Sequence, residues 1–276
     1  MTVRLEILDD LAIVTLDNPP VNSISHSVRL GLLKAFQTIG AHDAVRAAIL
    51  IGTGRGFCAG GDIREFGTPA ALMQPGLSAQ VHPAIEATGK PVIAALHGFA
   101  YGGGLETALV CQARIAAPPM RLALPECRLG LIPLSGTQRL PRLASLATAV
   151  EMIVFGTVLG AEEALAQGIV DRMIENPELL LNAAMQFAHE ILRRAAPPLP
   201  SQRPVRDSSP GTILAEARAR LAAEGGSVAQ YGALDALAAA LAAVDFQAGL
   251  QSAQSIYHRL LDSAAPRLAH DRFLND

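Results

Sequence analysis

The sequence predicts an α/β fold of repeated β-β-α turns with a helical C-terminal region. Three observations carry that prediction. Residues 47–52 (AAILIG) form a wholly apolar run that enters a glycine-rich loop with a helical stretch after it. Residues 91–98 (PVIAALHG) repeat the arrangement. Residues 212–262 are rich in Ala and Leu and read as helix, interrupted at Gly225-Gly226. Apolar runs this short, bounded by glycine, fit buried strands, and longer periodic segments fit helices.

Each element follows in order. VRLEIL (3–8) and LAIVTLD (11–17) read as strands joined by Asp9-Asp10, a hairpin signal. NPPVNSIS (18–25) is a loop, because Pro19-Pro20 cannot continue a ladder. Val28, Leu32, Phe36 and Ile39 share one helical face over 27–39. GTGRGFCAGGD (52–62) is the first glycine-rich loop, and a second helical stretch separates it from the strand at 91–98. Gly102-Gly103-Gly104 then opens an apolar helix. ARIAA (113–117) and RLAL (121–124) supply further strand, and from about 144 the chain turns mostly helical. APPLPSQRPVRDSSPG (196–211) reads as a linker or extended strap. The expected division is a core over 1–195 and a linker with helices over 196–276.

Composition narrows the function. Half of the 276 residues are hydrophobic and 17% are charged, so a substantial core can form. A net charge of −3 argues against nucleic acid or an anionic membrane as the main partner. No apolar run reaches the ~18 residues that span a bilayer. MTVRLEILDD does not read as a signal peptide, because acidic residues interrupt it. Cys58, Cys111 and Cys127 show no CxxC spacing, so zinc is not expected and a reduced intracellular protein is.

Two loops and two carboxylates stand out. The loop 52–62 has Phe57 where a dinucleotide fingerprint needs its third glycine, and no phosphate-loop motif is present. Gly52–Gly56 reads as a plain turn. Ala59-Gly60-Gly61-Asp62 sits before a helix start, where small residues let a ligand approach backbone N–H groups. Gly102-Gly103-Gly104 is either a tight strand-to-helix turn or a second donor. One N–H from each loop, aimed at a common point, is the construction of an oxyanion hole. Glu106 opens an apolar segment, although a buried carboxylate is costly unless paired or hydrogen-bonded. Glu126, between Pro125 and Cys127, is either a solvated loop carboxylate near Arg121 or Arg128, or its partner in general acid/base work. The seven histidines match no metal spacing, and His97 reads as structural.

Six segments in this order resemble the enoyl-CoA hydratase/isomerase (crotonase) superfamily: NPPVNSIS (18–25), GRGFCAGGDIREF (54–66), KPVIAALHGFAYGGGLE (90–106), LPECRLGLIP (124–133), SGTQRLPR (135–142) and GTVLGAEEALAQGIVD (156–171). The resemblance covers about residues 3–195. It is strongest to the N-terminal hydratase half of multifunctional β-oxidation enzymes of peroxisomal type. RLAHDRFLND (267–276) resembles the segment before their dehydrogenase half, a step this chain is not expected to perform.

The resemblance implies a crotonase-type spiral and reversible hydration of trans-2-enoyl-CoA to 3-hydroxyacyl-CoA. Gly61 and Gly103 match the oxyanion-hole donors, and Glu106 and Glu126 match the two catalytic glutamates. Ala59, Asp62, Ile63 and Arg64 match positions that hold the acyl-CoA near its thioester and pantetheine. Val21 matches a loop near the nucleotide part. The acyl-CoA is the substrate, with no cofactor and no metal. The resemblance implies a homotrimer or hexamer, the usual family assembly, with a monomer as the alternative, because multifunctional types pack their extra helices back on the hydratase core. A cytoplasmic protein is expected, since the C-terminal Leu-Asn-Asp is no peroxisomal address of the Ser-Lys-Leu kind. One departure stands at Leu134-Ser135-Gly136-Thr137, where the family runs Gly-x-x-Gly-Thr. A shortened loop here suits a Δ3-Δ2-enoyl-CoA isomerase, which needs no water. A non-catalytic acyl-CoA-binding partner of a β-oxidation complex is the remaining alternative.

Overall fold

The computed structural model describes residues 2–194, 196–205 and 207–263. In chain order the elements are β1 (Val3–Leu8), β2 (Leu11–Leu16), α1 (His26–Ala41), β3 (Ala47–Gly52), α2 (Pro69–Leu72), α3 (His82–Glu86), β4 (Val92–Tyr101), α4 (Gly103–Val110), β5 (Ala113–Ala123), α5 (Gly136–Leu143), α6 (Leu146–Ile153), β6 (Leu159–Gly160), α7 (Ala161–Ala166), β7 (Arg172–Met173), α8 (Leu180–Arg193), α9 (Pro210–Glu224), α10 (Val228–Ala242) and α11 (Phe246–Leu261). Two compact units divide them. One comprises residues 1–122 and 160–200, the other 123–159 and 201–276. Residues 123–159, read above with the first 195, group with the C-terminal helices in this division.

The first unit is built on a mixed sheet. β1 and β2 pair antiparallel through the Asp9-Asp10 turn, with Val3 opposite Leu16 and Leu8 opposite Leu11. β2 to β3 and β3 to β4 are parallel, as is β5 to β7. The strands lie in sequence order from β1 to β5. Parallel neighbours need crossovers, and the helical segments between strands supply them. One face of the sheet presents Ala47, Ile49, Ile93, Ala95, Ala113 and Ile115 to Leu180, Ala184, Ala188 and Ile191 of α8. These residues fall at every second position along β3, β4 and β5, as the two-residue side-chain period requires, and the intervening Ala48, Leu50 and Ala94 are buried as well. Lys90 closes α1 by donating from Nζ to the carbonyls of Ile39 and His42, both at 2.6 Å.

Two expectations need correction. The segments 113–117 and 121–124 are one strand, β5, which runs through Pro118-Pro119. The strand expected to end at Gly98 continues to Tyr101, so His97 lies within it.

The second unit is helical among its described residues apart from turns and loops, the last residue of β5 and the first of β6. α10 packs against α5, α6, α9 and α11. Its burial of Ala233, Leu234, Ala236, Leu237 and Ala240 explains the Ala/Leu composition. Gly225, in the left-handed region at φ 73°, ends α9. A further break at 243–245, not read from the sequence, separates α10 from α11. Asp245 caps α11 there by accepting the Ala248 N–H at 2.8 Å. The tail 267–276 lies outside the described residues.

Candidate active site

The site is assembled where two glycine-rich loops run side by side. The first loop pairs with 21–24: Ala59 N–H donates to Val21 O (3.0 Å), Ile24 N–H to Gly60 O (2.7 Å), and Asp62 N–H to Ile24 O (3.3 Å). On its other flank, Cys58 N–H donates to Phe99 O (3.2 Å) and Tyr101 N–H to Cys58 O (2.9 Å). Backbone ladders on both sides thus fix residues 58–62. Gly60 sits at φ 96°, and a methyl group built on it would stand 2.7 Å from the Tyr101 carbonyl oxygen. Only glycine fits there.

The three glycines of 102–104 have three different reasons. Gly102, at φ 49° and ψ −129°, makes the turn from β4 into α4. Gly104 packs on Cys58, where a methyl group would lie 2.7 Å from its Cβ, Sγ and carbonyl oxygen. Gly103 faces the first loop: a methyl on it would lie 3.8 Å from the Gly61 nitrogen. Among the described residues, neither the Gly61 N–H nor the Gly103 N–H donates to a group of the protein. Two adjacent unused donors, one at a helix N-terminus, form a ready site for developing negative charge.

Side chains complete the surroundings. Glu106 lies in the first turn of α4 and is only 6% exposed. Its N–H donates to Gly102 O at 2.9 Å. A carboxylate there gains from the positive helix end, which offsets part of its burial cost. The Phe66 ring is placed 3.6 Å from a methyl built on Gly61, and Leu77 Cδ2 2.9 Å from one on Gly103. The donors are therefore rimmed by apolar groups. The Thr107 hydroxyl donates to Gly103 O at 2.7 Å, and buried His82 Nε2 lies 3.2 Å from that hydroxyl. With the hydroxyl proton committed to Gly103, Nε2 is the donor to Thr107.

The structure assigns several expected residues a local role. Asp62 is buried and accepts from Arg64 N (3.1 Å), Nε (2.9 Å) and Nη2 (2.6 Å) and from Ser23 Oγ (3.3 Å). The Arg64 side-chain hydrogen bond, above all, holds the Asp62 carboxyl below its ordinary value, with burial opposing. Arg64 itself is 76% exposed and Ile63 half-buried. Cys58 is fully buried, and burial pushes its thiol up to about 12, so it is an inert packing group. Val21, Ala59, Gly61, Asp62, Gly103 and Glu106 all belong to the first unit.

Glu126 belongs to the second unit. It is half-buried and begins a 3-10 turn, Glu126–Leu129, that Gly130 closes at φ 74°. Its carbonyl accepts the Leu131 N–H at 3.1 Å. Burial first, and then the Glu126 charge, push the neighbouring Cys127 thiol upward.

Sequence reading missed Asn22, His82, Thr107 and Arg29. Asn22 is 2% exposed at φ 54°, and its Nδ2 donates to Thr53 O (2.8 Å) and Gly56 O (2.9 Å). An asparagine within a Pro-Pro loop is the signal that pointed there. No group of three or more potential metal-binding side chains occurs among the described residues, and no described helix is long and apolar enough to cross a membrane.

A mixed sheet with parallel strands, two glycine loops meeting at free N–H groups and a helical C-terminal region define a crotonase-type fold. A family model described as enoyl-CoA hydratase/isomerase matches residues 6–199, and the chain belongs to that family. It is similar to a peroxisomal bifunctional enzyme of Danio rerio, 44% identical over 194 residues, which cover 70% of this chain and 26% of that protein. It is also similar to a probable enoyl-CoA hydratase of Bacillus subtilis, 36% identical over 204 residues, covering 72% of this chain and 79% of the other. The chain thus spans about a quarter of the multifunctional relatives it matches. A solved enoyl-CoA hydratase/isomerase from Pseudoalteromonas atlantica shares the fold, with a TM-score of 0.76 at 21% identity over 100% of this chain and 97% of that one.

Proposed function

We propose that the protein is an enoyl-CoA hydratase that adds water reversibly to trans-2-enoyl-CoA, giving 3-hydroxyacyl-CoA in fatty acid β-oxidation. The observation that carries this reading is the pair of unused N–H groups on Gly61 and Gly103 with buried Glu106 one turn further along α4. In the proposed reaction the thioester oxygen accepts from both N–H groups. Glu106 takes a proton from water as the water oxygen bonds to C3. The double-bond electrons move toward the thioester oxygen, and the glycine donors stabilise the charge that develops there. Glu126 delivers the proton to C2. The names of the relatives, which include hydratase and fatty acid β-oxidation proteins, support the same substrate class.

One observation favours a second reading, a Δ3-Δ2-enoyl-CoA isomerase. Where the 134–137 loop enters α5, the Thr137 N–H donates to Pro133 O (3.0 Å), and the Gln138 and Arg139 N–H groups of the first helical turn donate to Ser135 O (3.1 and 2.9 Å). Amides committed in this way do not position a water, and isomerisation needs none.

Loss of enone absorbance with crotonyl-CoA and a longer trans-2-enoyl-CoA tests the proposal, with Glu106→Gln and Glu126→Gln alongside. A two-glutamate hydratase consumes both substrates, and each variant loses about 10²–10⁴-fold in rate. No absorbance loss in the wild type, with 3-enoyl-CoA converted instead, would replace the hydratase by the isomerase. Binding without either conversion would leave an acyl-CoA carrier.

A further inference from the structure

The segment from Glu65 to Leu77 carries two of the apolar groups that rim the two N–H donors, Phe66 and Leu77, while Ile24 supplies a third from residues 21–24. Between Phe66 and Leu77 the chain is largely exposed, with Leu72 at 72% and Met73 at 48%. Little apolar packing therefore holds it. Three side chains from outside the segment hydrogen-bond to its backbone: His26, whose Nε2 donates to Gln74 O (2.8 Å), Gln80, whose Oε1 accepts the Gly76 N–H (2.6 Å), and, reaching the most carbonyls, Arg29 of α1, only 7% exposed. Its Nε donates to Pro75 O (2.9 Å), and its Nη2 to Ala70 O (2.9 Å) and Met73 O (3.3 Å). Its Nη1 pairs with Glu65 Oε2 at 3.1 Å. Glu65 Oε1 in turn accepts the His26 N–H at 2.7 Å. A planar guanidinium with five fixed donors is suited to gathering several carbonyls at once, and a lysine is not.

We propose that Arg29 is a specificity-determining positioning residue: it latches the 65–77 segment so that Phe66 and Leu77 form a fixed wall for the acyl chain beside the thioester site. The inference rests on the acyl-CoA reading above. The wall is apolar, which suits the hydrocarbon chain rather than the polar pantetheine arm. Arg29 touches neither donor glycine, so it acts through the segment. Short acyl chains end near the carbonyl and depend little on such a wall. Longer chains add buried methylenes and depend on it more.

The test measures affinity for butanoyl-CoA and decanoyl-CoA, saturated thioesters that bind without turnover, in the wild type, Arg29→Gln, Arg29→Lys and Glu65→Gln. Thermolysin cleavage between 67 and 76, mapped by mass spectrometry, runs in parallel. The latch predicts that decanoyl-CoA binding weakens about tenfold in Arg29→Gln while butanoyl-CoA binding changes less than about threefold. Arg29→Lys sits nearer Arg29→Gln than the wild type, and cleavage in the segment accelerates in both. Should Arg29→Gln fail to fold, Glu65→Gln carries the test, with a smaller shift in the same direction. Equal weakening for both thioesters would make Arg29 a general fold residue and overturn the proposal. A wild type that binds both thioesters, with variants that keep its affinity ratio, would overturn the latch and leave the acyl-CoA reading standing. A wild type that binds neither would sink both.

Discussion

The Asn22 carboxamide donates to the Gly56 carbonyl at 2.9 Å from a backbone held at φ 54°. The same nitrogen reaches Thr53 O, so one buried side chain joins the loop at 18–23 to the glycine-rich loop before the site. Asn22→Gly keeps the conformation and strands both carbonyls, which predicts a loss of about 2–4 kcal/mol. Asn22→Ala loses the same bonds and adds about 1 kcal/mol for the left-handed backbone. Urea unfolding of the two variants separates the terms, and equal stabilities would show that the backbone conformation carries no cost.

Gly60 and Gly61 are adjacent, yet their alanine variants should behave differently. A methyl on Gly60 meets the Tyr101 carbonyl at 2.7 Å in a positive-φ residue, so the backbone must shift. Gly60→Ala should lose about 1–3 kcal/mol of stability and, with the Gly61 donor displaced, about 10²–10³-fold in turnover. A methyl on Gly61 meets only the Phe66 ring at 3.6 Å. Gly61→Ala should unfold within about 0.5 kcal/mol of the wild type. Thermal unfolding and steady-state kinetics on both variants check the contrast.

Helix propensity alone says that Gly249→Ala in α11 gains up to about 1 kcal/mol. The structure reverses the sign, because the methyl would overlap Gln138 Oε1, which is buried. Gly249→Ala should destabilise, and adding Gln138→Ala should recover part of the loss. Gly211, with open space around its missing side chain, is the control: Gly211→Ala should gain about 0.5–1 kcal/mol. A stabilised Gly249→Ala would show that α11 moves freely away from α5.

The Asp62 carboxyl titrates below its ordinary value in the folded protein, chiefly through the Arg64 hydrogen bond. In the unfolded chain it titrates near about 3.9. Its contribution to stability is therefore present above that value and disappears as pH falls through the lower folded value. The exposure of Arg64 keeps the contribution small. Asp62→Asn should be less stable than the wild type at pH 7, and the difference should narrow progressively as pH falls below about 3.9. A difference in urea midpoint that persists unchanged in acid would assign it to packing instead of charge.

Local pattern made the first unit's framework legible. The hairpin, α1 and strands β3 and β4 each announce themselves by apolar run, period and turn residue; all begin within one residue of the expected start, and β4 runs on past Gly98 to Tyr101. β5 did not, because Pro118-Pro119 interrupts a run that tertiary pairing nonetheless holds extended. The break before α11 lacks glycine and proline, so only the Asp245 cap marks it. At the site, the glycines were legible as glycines, but not the reasons that separate Gly102, Gly103 and Gly104, which depend on Cys58 and Leu77 approaching from distant segments. Arg29 and Asn22 act on carbonyl groups, which no sequence pattern displays.

α8 has a consequence for biosynthesis. It supplies the cover for the sheet face of Ile49, Ile93 and Ile115, yet it follows β4 by the whole span from Tyr101 to Arg193. At 5–20 residues per second a ribosome needs roughly 5–20 s to deliver that span. Through that interval the nascent chain holds strands whose greasy side has no native cover. Its time of greatest exposure to aggregation, and of greatest use to a chaperone, is therefore set by the position of one helix in the message.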